Sequence, residues 1–221
     1  MSLQERLDAY KADFEGRQAP HPVVEVIHRA TAALIASGQA DRALQAGARA
    51  PDFALPEGTG HIIRTADLLA RGPLVITFYR GVWCPYCNMD LQAIEEAAPE
   101  IRALGVSIIA ISPQTRANSR KAQRGNQLSF PILTDQGGEV AHAFGLRFRL
   151  QEELIELYKS FGNDLSVTNG EPSWTLPMPA RYVIGRDGVI AYAEVNPDYT
   201  LRPDPSELLP ILTRLNGLVA V

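Results

Sequence analysis

The sequence predicts an α/β sandwich, a central mixed β-sheet flanked by helices, with a helical extension at its N-terminal end. Three observations carry that prediction. From Ala46 to about Asn196, apolar β-rich runs alternate with helical patterns: "LVITFY", "VSIIAIS", "FPIL", "ARYVI" and "VIAYAEV" are the strand candidates. The turn "GRDG" (185–188) between the last two runs contains Asp-Gly, which supplies the positive φ of a tight hairpin, so those two strands pair antiparallel. Amphipathic helical patterns close the chain at both ends.

Along the first zone, Leu3, Leu7, Tyr10 and Phe14 recur at helical spacing, and "HPVVEVIHRATAALIASG" reads as a second helix that stops at Ser37–Gly38. Residues 1–45 are therefore expected to form the helical extension, and 46–221 the α/β domain. "LVITFY" is a strand. After Pro85, the residues Leu91, Ile94, Ala98 and Ile101 fall on one face, which predicts a helix from about Pro85 to Leu104 with a kink at Pro99. The stretch 162–179, "GNDLSVTNGEPSWTLPMP", reads as one long irregular connection. Its Trp174, Leu176 and Met178 argue for an ordered loop docked on the body as a wall of a site. In "DPSELLPILTRLNG", Asp204 or Ser206 is the N-cap candidate for a closing helix with Leu208, Leu209 and Leu212 along one face.

Composition sets outer bounds. With 46% hydrophobic and 21% charged residues, the chain can bury a full core. A net charge of −4 and an isoelectric point near 5.6 give no bulk attraction to nucleic acid or to an anionic membrane. Arg116, Arg120, Lys121 and Arg124 form a local basic cluster that reads as a solvated helix face. "MSLQERLDAYKADF" lacks the apolar run of a signal peptide, and eighteen consecutive apolar residues occur nowhere. The expected location is the cytoplasm, where thiols stay reduced and a close cysteine pair is catalytic or metal-binding rather than a structural staple.

Both cysteines of the chain lie in "RGVWCPYCNMD", Arg80 to Asp90. Following a strand and preceding a helix, Cys84 falls at or near the N-cap, Pro85 at the first helical position and Cys87 in the first turn. Free backbone N–H groups and the helix dipole there favour thiolates. Residues three apart on a helix have Cβ atoms about 5–6 Å apart, close enough for a disulfide after a small adjustment. A zinc site would need two more ligands, and His21, His28, His61 and His142 are neither near the pair nor in a paired pattern, so no metal is expected. The plain alternative is two buried thiols packed as small hydrophobes.

The sequence resembles the peroxiredoxin-like (alkyl hydroperoxide reductase/thiol-specific antioxidant) branch of the thioredoxin superfamily. The resemblance runs from "GARAPDFALPEGTG" at Gly47 to "GVIAYAEVNPDYT" at Thr200, through "VITFYRGVWCPYC", "FPILTDQGGEVAHAFGL" and "MPARYVIGRDGVI". It implies a thioredoxin-like sandwich of peroxiredoxin type. A typical peroxiredoxin carries P-x-x-x-T-x-x-C here; aligned on Phe78–Tyr79, the peroxide-attacking cysteine is Cys87, with Cys84 in the threonine position and Arg80 in the proline position. Thioredoxins carry W-C-x-x-C, which Trp83, Cys84 and Cys87 match. By resemblance, Pro179 stands where thioredoxins have a cis-proline, and Arg181 where peroxiredoxins have an arginine that stabilises thiolate and peroxide.

Peroxide reduction needs a thiolate, a cation, and a second thiol to capture the sulfenic acid. The expected catalytic residues are Cys87, Cys84 and Arg181, with Pro179, Trp83 and Tyr79 at the substrate. The leading expectation is a thiol peroxidase for hydrogen peroxide or organic hydroperoxides, cycling through a Cys84–Cys87 disulfide that a thioredoxin-like or glutathione-based donor reduces. No cofactor, nucleic acid or membrane is expected, and a homodimer is admitted as an assembly. The alternatives are a thioredoxin-like oxidoreductase acting on protein disulfides and a redox-sensing binding module.

Overall fold

The computed structural model describes residues 1–217, so the last four positions of the expected 46–221 domain lie outside the described residues. The order is α1 (Leu3–Asp13), α2 (His21–Ala36), β1 (Ala54–Pro56), β2 (Ile62–Arg64), α3 (Thr65–Leu69), β3 (Leu74–Phe78), α4 (Pro85–Ala103), β4 (Ser107–Ser112) and α5 (Arg116–Gly125). There follow β5 (Ile132–Thr134), α6 (Glu139–Ala143), β6 (Arg147–Arg149), α7 (Glu152–Ser160), α8 (Leu165–Asn169), β7 (Thr175–Pro177), β8 (Ala180–Ile184), β9 (Ile190–Val195) and α9 (Leu208–Gly217).

Five strands form the central sheet in the order β5-β4-β3-β8-β9. β3 runs parallel to β4 and β4 to β5, whereas β8 is antiparallel to both β3 and β9, so the sheet is mixed as the sequence predicts. The β8–β9 hairpin turns at Gly188, whose φ of +78° is the conformation for which the Asp-Gly pair was read. β3 is buried along its whole length, hence its unbroken apolar run. Its side chains alternate between two cores. Val75 joins Ile108 and Val183 beneath α4 and α9, while Leu74, Ile76 and Phe78 join Ile109, Tyr182 and Phe144 on the opposite face.

The N-terminal helices are part of this packing. Leu3 and Leu7 are buried with Leu91 and Ile94 of α4 and Leu208 and Leu212 of α9. Residues Phe14–Gln18 form a short wide helical turn, after which α2 lays Val26, Ile27 and Ala30 against Leu154, Tyr158 and Trp174. α9 enters through a turn capped by Asp204, whose carboxylate accepts from the Ser206 backbone N–H at 3.1 Å. The basic residues of α5 lie on its exposed face opposite buried Ser119 and Ala122.

One element reading needs correction. The stretch 162–179 is not structureless: it contains α8, and its β7 pairs antiparallel with β6. Turn-forming residues masked both elements, and β7 is only three residues long, too short to show alternation. Trp174, Leu176 and Met178 are buried, so the stretch is docked as expected.

Candidate active site

Beyond β3 the chain continues the sheet for one residue, with Tyr79 N–H donating to the Ile111 carbonyl at 3.0 Å, and then turns sharply. Gly81 makes the turn at φ +154°, and a Cβ there would lie 2.4 Å from Trp83 Nε1, so only glycine fits. Val82 N–H donates to Gln114 Oε1 at 2.8 Å, and Asn88 Nδ2 donates to the Val82 carbonyl at 2.8 Å. The turn is thus pinned from β4's end and from α4. Cys84 is the N-cap of α4 in extended conformation, Pro85 is the first helical residue, and Cys87 lies in the first turn.

Both cysteines are free and buried, Cys84 at 1% exposure and Cys87 at 0%. The pair nonetheless splits electrostatically. Burial pushes the Cys87 thiol up, but a hydrogen bond from Cys84, the Arg202 and Arg80 guanidiniums and the Arg80 backbone outweigh it and hold Cys87 at about 6. Burial and the interaction with Cys87 push Cys84 well above the ordinary thiol range, which the Arg80 charge only partly offsets. The expectation that the helix start favours both thiolates therefore holds for Cys87 alone. Two adjacent buried thiols cannot both ionise cheaply, so one proton stays and bridges the pair.

Arg202 places Nη2 4.0 Å from the Cys87 sulfur, and its Nε lies 3.6 Å from Asp90 Oδ2. Asp90 is one helical turn beyond Cys87 and also accepts from Arg181. Arg181, on β8 opposite Thr77, further donates to the Pro203 carbonyl at 3.0 Å. A carboxylate between two guanidiniums thus lies beneath the thiolate. Glu194 of β9 shares this field: burial raises its carboxyl to about 7, Arg202 and Arg181 pull it down, and Asp90 pushes it up.

Arg80 comes from the other side. Its guanidinium lies 4.1 Å from the Tyr199 ring centroid, 4.9 Å from Trp83 and 5.8 Å from Tyr158, and it donates to the Tyr158 hydroxyl. A cleft of about 410 Å³ opens over this cage, bounded by Tyr10, Trp83, Cys84, Tyr86, Tyr158 and Tyr199. Cys84, not Cys87, borders the cleft. Tyr86 stands edge-on to both Tyr10 (5.2 Å) and Tyr199 (5.4 Å).

The structure brings Cys84, Cys87, Trp83 and Arg181 to one end of the sheet. Trp83 is at the cleft. Arg181 reaches the site through Asp90 and Pro203. Tyr79 is buried with its hydroxyl accepting from Gln114 Nε2 at 2.5 Å, and it does not border this cleft. The cis assignment for Pro179 is corrected: no cis peptide occurs among the described residues. The Asn196 N–H donates to the Pro179 carbonyl at 3.1 Å, continuing the β8–β9 ladder by one step, and the peptide bond before Pro179 is trans, the form that most X-Pro bonds take. Sequence reasoning missed Asp90, Tyr158, Tyr199 and Arg202. Asp90 was findable, three residues past Cys87 on the same helix face. Among the described residues no group of three or more His, Cys, Asp or Glu is placed to hold a metal ion, and no helix is long and apolar enough to cross a membrane.

Comparison with known proteins agrees with this geometry. A Mycobacterium tuberculosis protein whose name assigns it to the peroxiredoxins is 28% identical over 117 residues, 53% of this chain and 76% of that protein. The thiol-disulfide oxidoreductase ResA of Halalkalibacterium halodurans is 34% identical over 112 residues, 49% of this chain and 61% of ResA. In fold, the crystal structure of peroxidoxin BcpB from Mycobacterium tuberculosis matches with a TM-score of 0.62 at 22% identity, covering 79% of this chain and 98% of BcpB. The fold is therefore peroxiredoxin-like, and the protein is an oxidoreductase of the thioredoxin/peroxiredoxin superfamily. With residues 46–193, more than half of its length, matching the AhpC/TSA family model, the chain belongs to the AhpC/TSA family.

Proposed function

We propose that the protein is a thiol peroxidase in which Cys87 attacks and Cys84 resolves. The observation that carries the reading is the placement of the pair: Cys87 lies in the first turn of α4 with Arg202 Nη2 4.0 Å from its sulfur, while Cys84 borders the cleft, and the opposite directions of the two thiols' shifts follow that placement. The Cys87 thiolate attacks the terminal peroxide oxygen; the O–O bond breaks, Cys87 becomes a sulfenic acid, and the alkoxide or hydroxide leaves as alcohol or water after taking a proton. The two guanidiniums are placed to stabilise charge on the departing oxygen. Cys84 then attacks the Cys87 sulfenic sulfur and a water leaves, forming the disulfide. A thiol donor reduces it by attacking the Cys84 sulfur from the cleft to give a mixed disulfide and the Cys87 thiolate; a second donor thiol, the partner cysteine of a thioredoxin-like protein or a second glutathione, then attacks the donor sulfur, releasing Cys84 and leaving the donor thiols as a disulfide.

In this reading Arg181 is a positioning residue: it holds Asp90, which holds Arg202 against Cys87. Trp83 and Tyr158 shape the cleft and confine Arg80. A second reading, thiol-disulfide exchange on proteins, is favoured by the position of Cys84 at the mouth and by the ResA likeness. Peroxide consumption with a recycling reductant, measured beside insulin disulfide reduction, decides between them. The peroxidase reading expects catalytic peroxide turnover with insulin reduction at background; the reverse pattern overturns it.

A further inference from the structure

Three arginines are buried around the cysteines, and their charges are met differently. Arg181 and Arg202 share Asp90. Arg80, 3% exposed, has no carboxylate within ion-pair distance among the described residues; its neighbours are three aromatic rings and one phenol, and its Nε is buried without a hydrogen-bond partner. A buried charge left uncompensated is costly, and ring faces supply only part of what an anion does. The single thiolate of the reduced pair can offset part of this cation's charge, but a disulfide carries none.

Arg80 also stands where two cavities meet. Besides the cleft at Cys84 there is a second one of about 230 Å³ between α2 and α7, lined by Ile27, Ala30, Leu34, Leu154 and Pro179. Arg80, Tyr158 and Tyr199 border both. Apolar side chains make up most of this second cavity's wall, with Thr31, Ser37, Gln39, Gln151 and a second arginine, Arg149, also at its border, and the buried Arg80 guanidinium is part of its lining. We propose that it is a binding site for an apolar monocarboxylate, with the carboxylate on the Arg80 guanidinium and the chain lying along α2 and α7. The planar fork of arginine matches a carboxylate, and the rings packed against Arg80 hold that plane in place before any ligand arrives. At about 30 Å³ for each water-sized group, the cavity accommodates a chain of about seven carbons. The site shares Arg80 with the cysteine pair, so a bound carboxylate competes for a cation that also acts on Cys87, but binding itself requires no reaction at either sulfur.

Calorimetric titration of the full chain tests it with three probes: octanoate, octanol as the uncharged chain of equal length, and acetate as the charge without the chain. Octanoate is expected to bind at least about tenfold more tightly than either, the increment a charge-assisted hydrogen bond gives. Arg80→Gln should bring octanoate down to the level of octanol. Ala30→Phe, which fills the cavity from α2, should weaken octanoate and octanol together and leave acetate unchanged. Octanoate binding no better than octanol to the wild-type protein, or binding that ignores Ala30→Phe, overturns the proposal. Should Arg80→Gln fail to fold, the probe comparison and Ala30→Phe decide by themselves.

Discussion

Replacing Arg202 by glutamine isolates the contribution of the nearest cation to the Cys87 thiolate. Arg202 Nη2 lies 4.0 Å from the sulfur, and two unit charges at about 4 Å interact by about 4 kcal/mol at an effective dielectric of about 20. Arg202 also faces Asp90 at 3.6 Å, and that carboxylate repels the same thiolate. Allowing the carboxylate to cancel half the attraction leaves about 2 kcal/mol, or about 1.5 pKa units at about 1.4 kcal/mol each. Cys87, held at about 6, should therefore titrate near about 7.5 in the variant. Asp90 keeps Arg181 as its partner, so the substitution leaves no orphaned carboxylate. The assay is the pH dependence of iodoacetamide alkylation of Cys87, read by mass spectrometry of its own peptide so that Cys84 and its hydrogen bond stay in place, with and without Arg202→Gln. At about pH 6.5 the thiolate fraction should fall from about three quarters to about one tenth, and the alkylation rate with it, while the rates converge above about pH 9. A folded variant whose midpoint does not move, or moves down, refutes the assignment of Arg202.

Leu7→Ala should cost about 2–5 kcal/mol in urea unfolding, because Leu7 is fully buried among α4 and α9 side chains; a loss below about 0.5 kcal/mol would show that α1 is not part of the core. Glu194 is held at about 7 from an ordinary 4.5, so the stability its protonated form contributes is full below about pH 4.5 and lost as pH rises through about 7. Glu194→Gln should accordingly change stability at pH 5 by less than about 1 kcal/mol and add about 3 kcal/mol at pH 8; equal effects at both pH values contradict the burial argument. Gly81→Ala should cost about 1–3 kcal/mol and displace Trp83, seen as changed tryptophan fluorescence, since its Cβ has no room beside the indole at φ +154°. An unchanged spectrum and stability would show that the turn relaxes freely.

What local pattern encodes was legible. The start of α4 at Pro85, the burial of β3 and the β8–β9 hairpin follow from proline at the first helical position, an unbroken apolar run and an Asp-Gly turn, all signals within a few residues. The electrostatics of the site were not legible. Arg202 sits on an irregular segment 115 positions from Cys87, and only the closure of the chain over the sheet end brings it to the sulfur. Arg80, aligned with a proline by resemblance, becomes interpretable only when Tyr158 and Tyr199, far apart in the chain, close a cage around it. Pro179 shows the opposite failure: the resemblance supplied a cis bond where the chain has a trans one, and no residue pattern near Pro179 bears on that choice.

Single-turnover reaction with peroxide, followed by stopped flow and by mass spectrometry of the products, tests most directly which sulfur attacks. Cys84→Ser, which keeps Cys87 beside Arg202 and puts a serine hydroxyl where the Cys84 thiol donated, should react rapidly once and stop at the sulfenic acid or a higher oxide on Cys87. Cys87→Ser, left with the thiol that burial holds protonated, should react slower by orders of magnitude. A fast Cys87→Ser protein beside an inert Cys84→Ser protein would contradict the account and make Cys84 the nucleophile.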